Sequence, residues 1–210
     1  PLEWQMWAAK GYVVFIPEFR SSASFGSLAI TRDQNKNHDL IDCDSKDILA
    51  GVNYLVEKNY IDENKMAVLG YSAGARRVNW LRATNNPFKA AASKEGWADE
   101  WYLTGALAHK RHYPIYGGHP LVVPKNYQKN SALFHAQNAH TPTLFLMGNV
   151  EKGGIDRYDS VKWLYYALKE KNIETQYIYY PDEGHLFEQP DNQADALKRT
   201  IEWIEKQFGV

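Results

Sequence analysis

Hydrophobic positions along the chain follow two alternating rhythms. Short β-rich apolar runs occur at Tyr12–Pro17 (YVVFIP), Lys65–Gly70 (KMAVLG), Lys89–Glu95, Pro142–Gly148 (PTLFLMG) and Glu174–Tyr180 (ETQYIYY). The first and fourth are nearly continuous, as expected of strands covered on both faces. Between the runs the spacing becomes helical. Asp47–Lys58 places Ile48, Val52, Leu55 and Val56 on one face, and Tyr158–Lys171 does so with Val161, Leu164, Tyr165 and Leu168. A last helix over about Gln193–Phe208 aligns Leu197, Ile201, Ile204 and Phe208. This alternation predicts an α/β fold, a mostly parallel sheet with helices on both faces. One stretch breaks the rhythm. From Trp97 to about His140 the chain is rich in aromatics, His, Pro and Gly, including Tyr116-Gly117-Gly118-His119-Pro120. A structureless loop of that length is unusual in a compact domain. Residues 97–140 therefore read as a lid-like excursion over the sheet edge, carrying a helix or two.

Composition narrows the function classes. At 210 residues the chain fits one domain with a substantial core. A net charge of −1 leaves no electrostatic case for nucleic acid or an anionic membrane. The single Cys43 excludes an intrachain disulfide framework and a multi-Cys metal site. The longest apolar runs are a few residues, too short for a bilayer-spanning helix. Aromatics reach 14%, enough to line a pocket as well as to fill the core.

The strongest chemical signal is Gly70-Tyr71-Ser72-Ala73-Gly74, a G-x-S-x-G between a predicted strand and a predicted helix. Such a turn is tight enough to need glycine at its flanks, and it thrusts the Ser hydroxyl out at the sheet's C-terminal edge. The following helix aims its first N–H groups at the same spot, which makes the Ala73 N–H a candidate oxyanion donor. Tyr71, beside the nucleophile, is a candidate pocket residue. A serine hydroxyl needs a base to take its proton.

The pentapeptide in this setting resembles the nucleophile elbow of α/β-hydrolases, whose chain order is Ser, acid, His. His185, in Pro181-Asp182-Glu183-Gly184-His185, directly follows the last predicted strand, where that fold places its base. His109, His112, His119, His135 and His140 sit in the excursion and read as surface or packing groups. No H-E-x-x-H or carboxylate cluster accompanies them, so no metal and no cofactor are expected. The acid should follow Pro142–Gly148. Glu151, three residues past Gly148, is the better placed to orient His185. Asp156 is the alternative, although an acidic residue at a helix start is also ordinary capping. Trp97, Trp101 and Tyr102 follow a strand that should end beside Ser72, and are candidate pocket walls.

With these residues placed, the chain resembles the prolyl oligopeptidase family nearly end to end, and its acylaminoacyl-peptidase and dipeptidyl-peptidase-like branch above all. Trp7-Ala8-Ala9-Lys10-Gly11-Tyr12-Val13-Val14 and Pro17-Glu18-Phe19-Arg20-Ser21-Ser22 are similar to the family's strand entry and its Pro-x-x-Arg-Gly-Ser turn. Tyr60-Ile61-Asp62 through Gly74 resembles the approach to the nucleophile. Tyr116-Gly117-Gly118-His119-Pro120, Asn130-Ser131-Ala132-Leu133-Phe134-His135-Ala136 and Thr141-Pro142-Thr143-Leu144 are similar to the lid and return strand. Tyr180 through Phe187 resembles the histidine loop.

The resemblance implies a serine hydrolase of the α/β-hydrolase fold, cleaving short or N-blocked peptides through a Ser-His-acid triad and an acyl-enzyme. A carboxylesterase of the same fold is the alternative, or a silent binding or scaffold module if the acid is lost. The chain departs from the family at three points. It offers Glu151 where the family has Asp. It has Ala75-Arg76-Arg77 after the elbow, which suggests an anionic partner or a relocated contact. By the resemblance it also begins after the family's third strand, so 1–210 is expected to be the C-terminal portion of a catalytic domain missing the first strands. Tyr12–Pro17 would be the fourth strand, and the loop giving the second oxyanion donor would precede residue 1. An upstream segment or a second chain would complete the sheet, and a homo-oligomer is compatible with that. The expected substrate is a peptide or an ester.

Overall fold

A computed structural model describes residues 2–22, 38–106, 112–149 and 158–210. Four strands, β1 (Ala67–Tyr71), β2 (Ala90–Lys94), β3 (Thr143–Gly148) and β4 (Thr175–Tyr180), form one parallel sheet in the order β1-β2-β3-β4. They lie within one or two residues of four of the five predicted runs. β3 is buried along its whole length, as its continuous apolar run predicts.

The sheet is covered on both faces. On one, α1 (Leu2–Ala9) and α8 (Pro190–Phe208) pack Trp7, Trp203 and Ile204 against Ala90, Ala92, Leu144 and Leu146. On the other, α7 (Tyr158–Glu170) sets Val161, Leu164 and Leu168 on Phe145 and Met147. Leu81 of α3 (Ala73–Leu81) joins Ile48 and Val52 of α2 (Leu40–Glu57) in a third cluster. The predicted stripe of α8 is rotated. Ala196, Thr200, Trp203 and Ile204 are buried, while Leu197 and Ile201 sit half-buried at the margin. Small Ala196 and Thr200 let the helix approach the sheet closely, and Trp203 supplies the bulk.

The excursion carries α4 (Glu100–Ala106), α5 (Tyr113–Tyr116), α6 (Pro124–Asn130) and a 3₁₀ segment (Ala132–Asn138). That is more regular structure than the one or two helices expected.

The strand expected at Tyr12–Pro17 does not form. Among the described residues this segment joins no ladder and β1 is paired on one side only. A strand is made by hydrogen-bonding neighbours, and among the described residues no strand lies between Tyr12–Pro17 and β1. Val13 is 59% exposed, Ile16 47% and Leu69 39%. They line an open cleft of about 1520 Å³ between the two segments.

Candidate active site

The elbow is built as its glycine pattern implies, with one difference. Ser72 lies between β1 and α3 at φ 55°, ψ −117°, a conformation ordinary side chains avoid. Its N–H donates to the Lys94 carbonyl at 2.9 Å, and its own carbonyl accepts the first helical bond from Arg76 N–H at 3.1 Å. A Cβ on Gly70 would fall 2.4 Å from the Gly74 carbonyl carbon, so the close approach of strand and helix requires glycine there. A Cβ on Gly74 would meet nothing within 4 Å. Only the first of the two flanking glycines is demanded sterically. The Ala73 N–H lies in the first turn of α3, among the donors a helix leaves without an internal acceptor.

His185 reaches the Ser72 hydroxyl. Its Nε2 is 2.9 Å from Ser72 Oγ, although the two residues stand 113 positions apart. Its loop is tied to the sheet by backbone. Asn149 N–H donates to the Glu183 carbonyl, and a Cβ on Gly148 would come within 2.5 Å of the Gly184 carbonyl oxygen. The Glu183 side chain is buried and accepts from the Glu188 N–H (2.7 Å), the Gln189 N–H (3.0 Å) and Asn192 Nδ2 (2.9 Å). Burial alone pushes this carboxyl up. The bonds from Asn192, Glu188 and Gln189, together with the Lys94 charge, outweigh that and hold it below its ordinary value. Tyr71 caps the imidazole from the side. Its ring stacks on His185 with centroids 5.3 Å apart, and its hydroxyl donates to the His185 carbonyl at 2.8 Å. The structure thus sets Tyr71, read from the sequence as a pocket residue, against His185.

The acid expected from the sequence, Glu151 or Asp156, lies outside the described residues, as does His109. What the structure brings to His185 is a carboxylate that the sequence reading passed over. Glu95, the residue directly after β2, is fully buried, and its Oε2 lies 3.4 Å from His185 Nδ1. No local pattern marks it: Glu95 follows Ser93 and Lys94 at the end of β2, beside the strand that leads into Ser72.

The two arginines after the elbow find their countercharges inside the fold. Arg76 donates from Nε to Glu100 Oε1 (2.5 Å) and from Nη2 to the Tyr116 hydroxyl (2.5 Å), and Tyr116 donates on to Glu100 Oε2 (2.6 Å). Burial would pull the Arg76 guanidinium down, but Glu100 and Tyr116 outweigh it and raise it above its ordinary value. Arg77 holds Asp44 at 2.6 Å, the Ser21 hydroxyl at 2.8 Å and the Ala73 carbonyl at 2.8 Å, with the Phe19 ring 4.2 Å from its guanidinium. The anionic partner suggested by Arg76 and Arg77 is therefore unnecessary; the relocated contact is what exists. Trp97 is nearly buried, donates to Glu100 Oε1 at 2.9 Å and lies against Arg76, whereas Trp101 and Tyr102 are half-buried. Among the remaining histidines, His119 accepts from the Leu121 N–H at 3.1 Å, and His135 packs edge-on against Trp80.

A nucleophilic serine on an elbow with a histidine at its hydroxyl is common ground for many hydrolases, so the family rests on the whole sequence. The model of the prolyl oligopeptidase family matches residues 2–210. The chain belongs to the prolyl oligopeptidase family. It is 25% identical over 213 residues to acylamino-acid-releasing enzyme 1 of Oryza sativa subsp. japonica, covering 94% of this chain and 26% of that protein. It is 26% identical over 210 residues to the acylamino-acid-releasing enzyme of Arabidopsis thaliana, covering 93% of this chain and 26% of the relative. Among solved structures it is similar to the uncomplexed Pyrococcus horikoshii acylaminoacyl peptidase, with TM-score 0.76 and 22% identity, over 90% of this chain and 31% of that one. That likeness shows the α/β-hydrolase fold. The chain spans about a quarter of the length of these curated relatives.

Proposed function

We propose that this chain carries the nucleophile and base of a serine peptidase that cleaves short or N-blocked peptides by acyl transfer. The observation that carries the reading is His185 Nε2 at 2.9 Å from Ser72 Oγ, at the end of a strand–turn–helix elbow. His185 takes the Ser72 proton as Oγ attacks the scissile carbonyl. The Ala73 N–H receives the developing oxyanion, with a second donor from a loop outside these residues. His185 then protonates the leaving amine and activates the water that releases the acyl group. Glu151, or Asp156, is the acid the sequence reading assigns to His185. Tyr71, Trp97, Trp101 and Tyr102 are the proposed walls of the substrate site. The names of these relatives, acylamino-acid-releasing enzymes, support N-blocked peptides as the substrate class.

A strand from sequence outside 1–210, or from a second chain, is proposed to fill the cleft beside β1 and pair with both β1 and Tyr12–Pro17. The support is an apolar cleft with a strand edge on one side and an exposed apolar segment on the other.

The test is turnover of an N-acetyl peptide against an aryl ester by the full-length protein, with Ser72→Ala as control. Peptide turnover lost in Ser72→Ala is the expected result. Ester turnover without peptide turnover would make the protein a carboxylesterase. No turnover of either, with Ser72 inert to acylating probes, would favour a scaffold.

A further inference from the structure

The strand order sets four strand ends side by side: Ser72 after β1, Glu95 after β2, Gly148 closing β3, and the loop with His185 after β4. Glu95 is held there by more than its position in the chain. Its backbone lies in the left-handed region at φ 56°, and its N–H donates to the Leu146 carbonyl at 3.0 Å. A non-glycine residue keeps such a conformation only where its surroundings over-determine it. A carboxylate removed from water also needs donors or cations around it. Glu95 Oε1 accepts the Gly148 N–H, and Oε2 lies at ion-pair distance, 3.4 Å, from His185 Nδ1. The backbone of β3 thus fixes one oxygen and aims the other at the imidazole.

We propose that Glu95 is a positioning residue for His185. Its carboxylate faces the Nδ1–H and so favours the tautomer whose Nε2 is free to accept the Ser72 proton. The inference rests on the Ser72–His185 reading above. No atom is transferred to Glu95. When Nε2 takes the serine proton, the imidazolium keeps both of its N–H groups, and the buried negative charge offsets its positive one until the proton passes to the leaving amine. The sequence reading gives this duty to Glu151 or Asp156, from the loop after β3. Glu95 comes from the strand neighbouring the nucleophile's own.

Glu95→Gln in the full-length protein is the informative change. Gln keeps the shape and an oxygen for the Gly148 N–H, but turns an amide donor toward Nδ1 and so favours the other tautomer. The expected result is a fall in kcat of about 10²–10⁴-fold with KM little changed. The melting temperature should hold, and the low-field proton resonance of His185 Nδ1–H, assigned by its loss in His185→Ala, should vanish. Wild-type kcat, or a resonance that persists, overturns the proposal. So does a loss of activity that only follows a lowered melting temperature. Should the Gln variant fail to fold, Glu95→Asp keeps the charge but shortens the reach; reduced kcat with a weakened resonance supports the proposal, and wild-type behaviour overturns it. Glu151→Gln and Asp156→Asn are run in parallel. If either removes the resonance while Glu95→Gln keeps it, the role is theirs. Turnover surviving in Ser72→Ala would instead overturn the underlying dyad, a distinct result.

Discussion

At Gly70 the elbow admits no side chain, because a Cβ would sit 2.4 Å from the Gly74 carbonyl carbon and 2.7 Å from the Ala75 nitrogen. These are backbone atoms, which cannot swing aside. Gly70→Ala is expected to cost about 1–3 kcal/mol, the usual range for overpacking, and to displace Ser72. Gly74→Ala, which meets open space, should leave the melting temperature unchanged; a comparable loss in both variants would mean that the turn is constrained differently. Ser72 and His185 were legible in the sequence because each is marked by local chemistry, a glycine-flanked turn and a turn directly after a strand. Glu95 was not, because nothing local marks it. It closes a strand of Ala90, Ala91, Ala92, Ser93 and Lys94, and only the parallel pairing of β2 with β1 and β3 brings it behind His185.

The elements were legible where burial is two-sided. β3 and the Val161, Leu164, Leu168 stripe of α7 follow directly from their apolar spacing. The start of α2 did not, since Asp44 and Ser45 look like surface positions until Arg77 and the Ile41 carbonyl are known to meet them. The histidine loop is held by the buried Glu183 carboxylate as well as by backbone ties to the sheet, and the carboxylate gives it an acid sensitivity. Glu183 is lowered from 4.5 in the folded protein. Its contribution is therefore fully present above pH 4.5 and is lost as pH falls through the lower folded value. Asp47, lowered by its hydrogen bonds to Arg20, acts in the same direction. Stability should drop below pH 4.5, and Glu183→Gln should flatten part of that acid limb while costing about 1–3 kcal/mol at neutral pH. Denaturant midpoints measured from pH 3 to 7 check this; an acid limb unchanged in Glu183→Gln would show that other carboxylates carry it.

At the scale of the whole molecule, the β1 edge of the sheet faces, among the described residues, an apolar cleft rather than another strand. The apolar run made Tyr12–Pro17 a strand and the family resemblance placed its neighbouring strand before residue 1; among the described residues the segment joins no ladder. If a strand fills the cleft in the full-length protein, the amides of Val13–Ile16 should exchange slowly there and quickly in residues 1–210 alone. Fast exchange in both would leave the cleft open and contradict strand insertion. The central claim is that this sheet edge arms Ser72 through His185. Its most direct measurement is intact-mass labelling of the full-length protein with a fluorophosphonate, followed by mapping of the modified residue. A single adduct on Ser72, absent in Ser72→Ala and slowed by several orders of magnitude in His185→Ala, is the result predicted. Labelling that persists in Ser72→Ala, or that proceeds at the wild-type rate without His185, would contradict it.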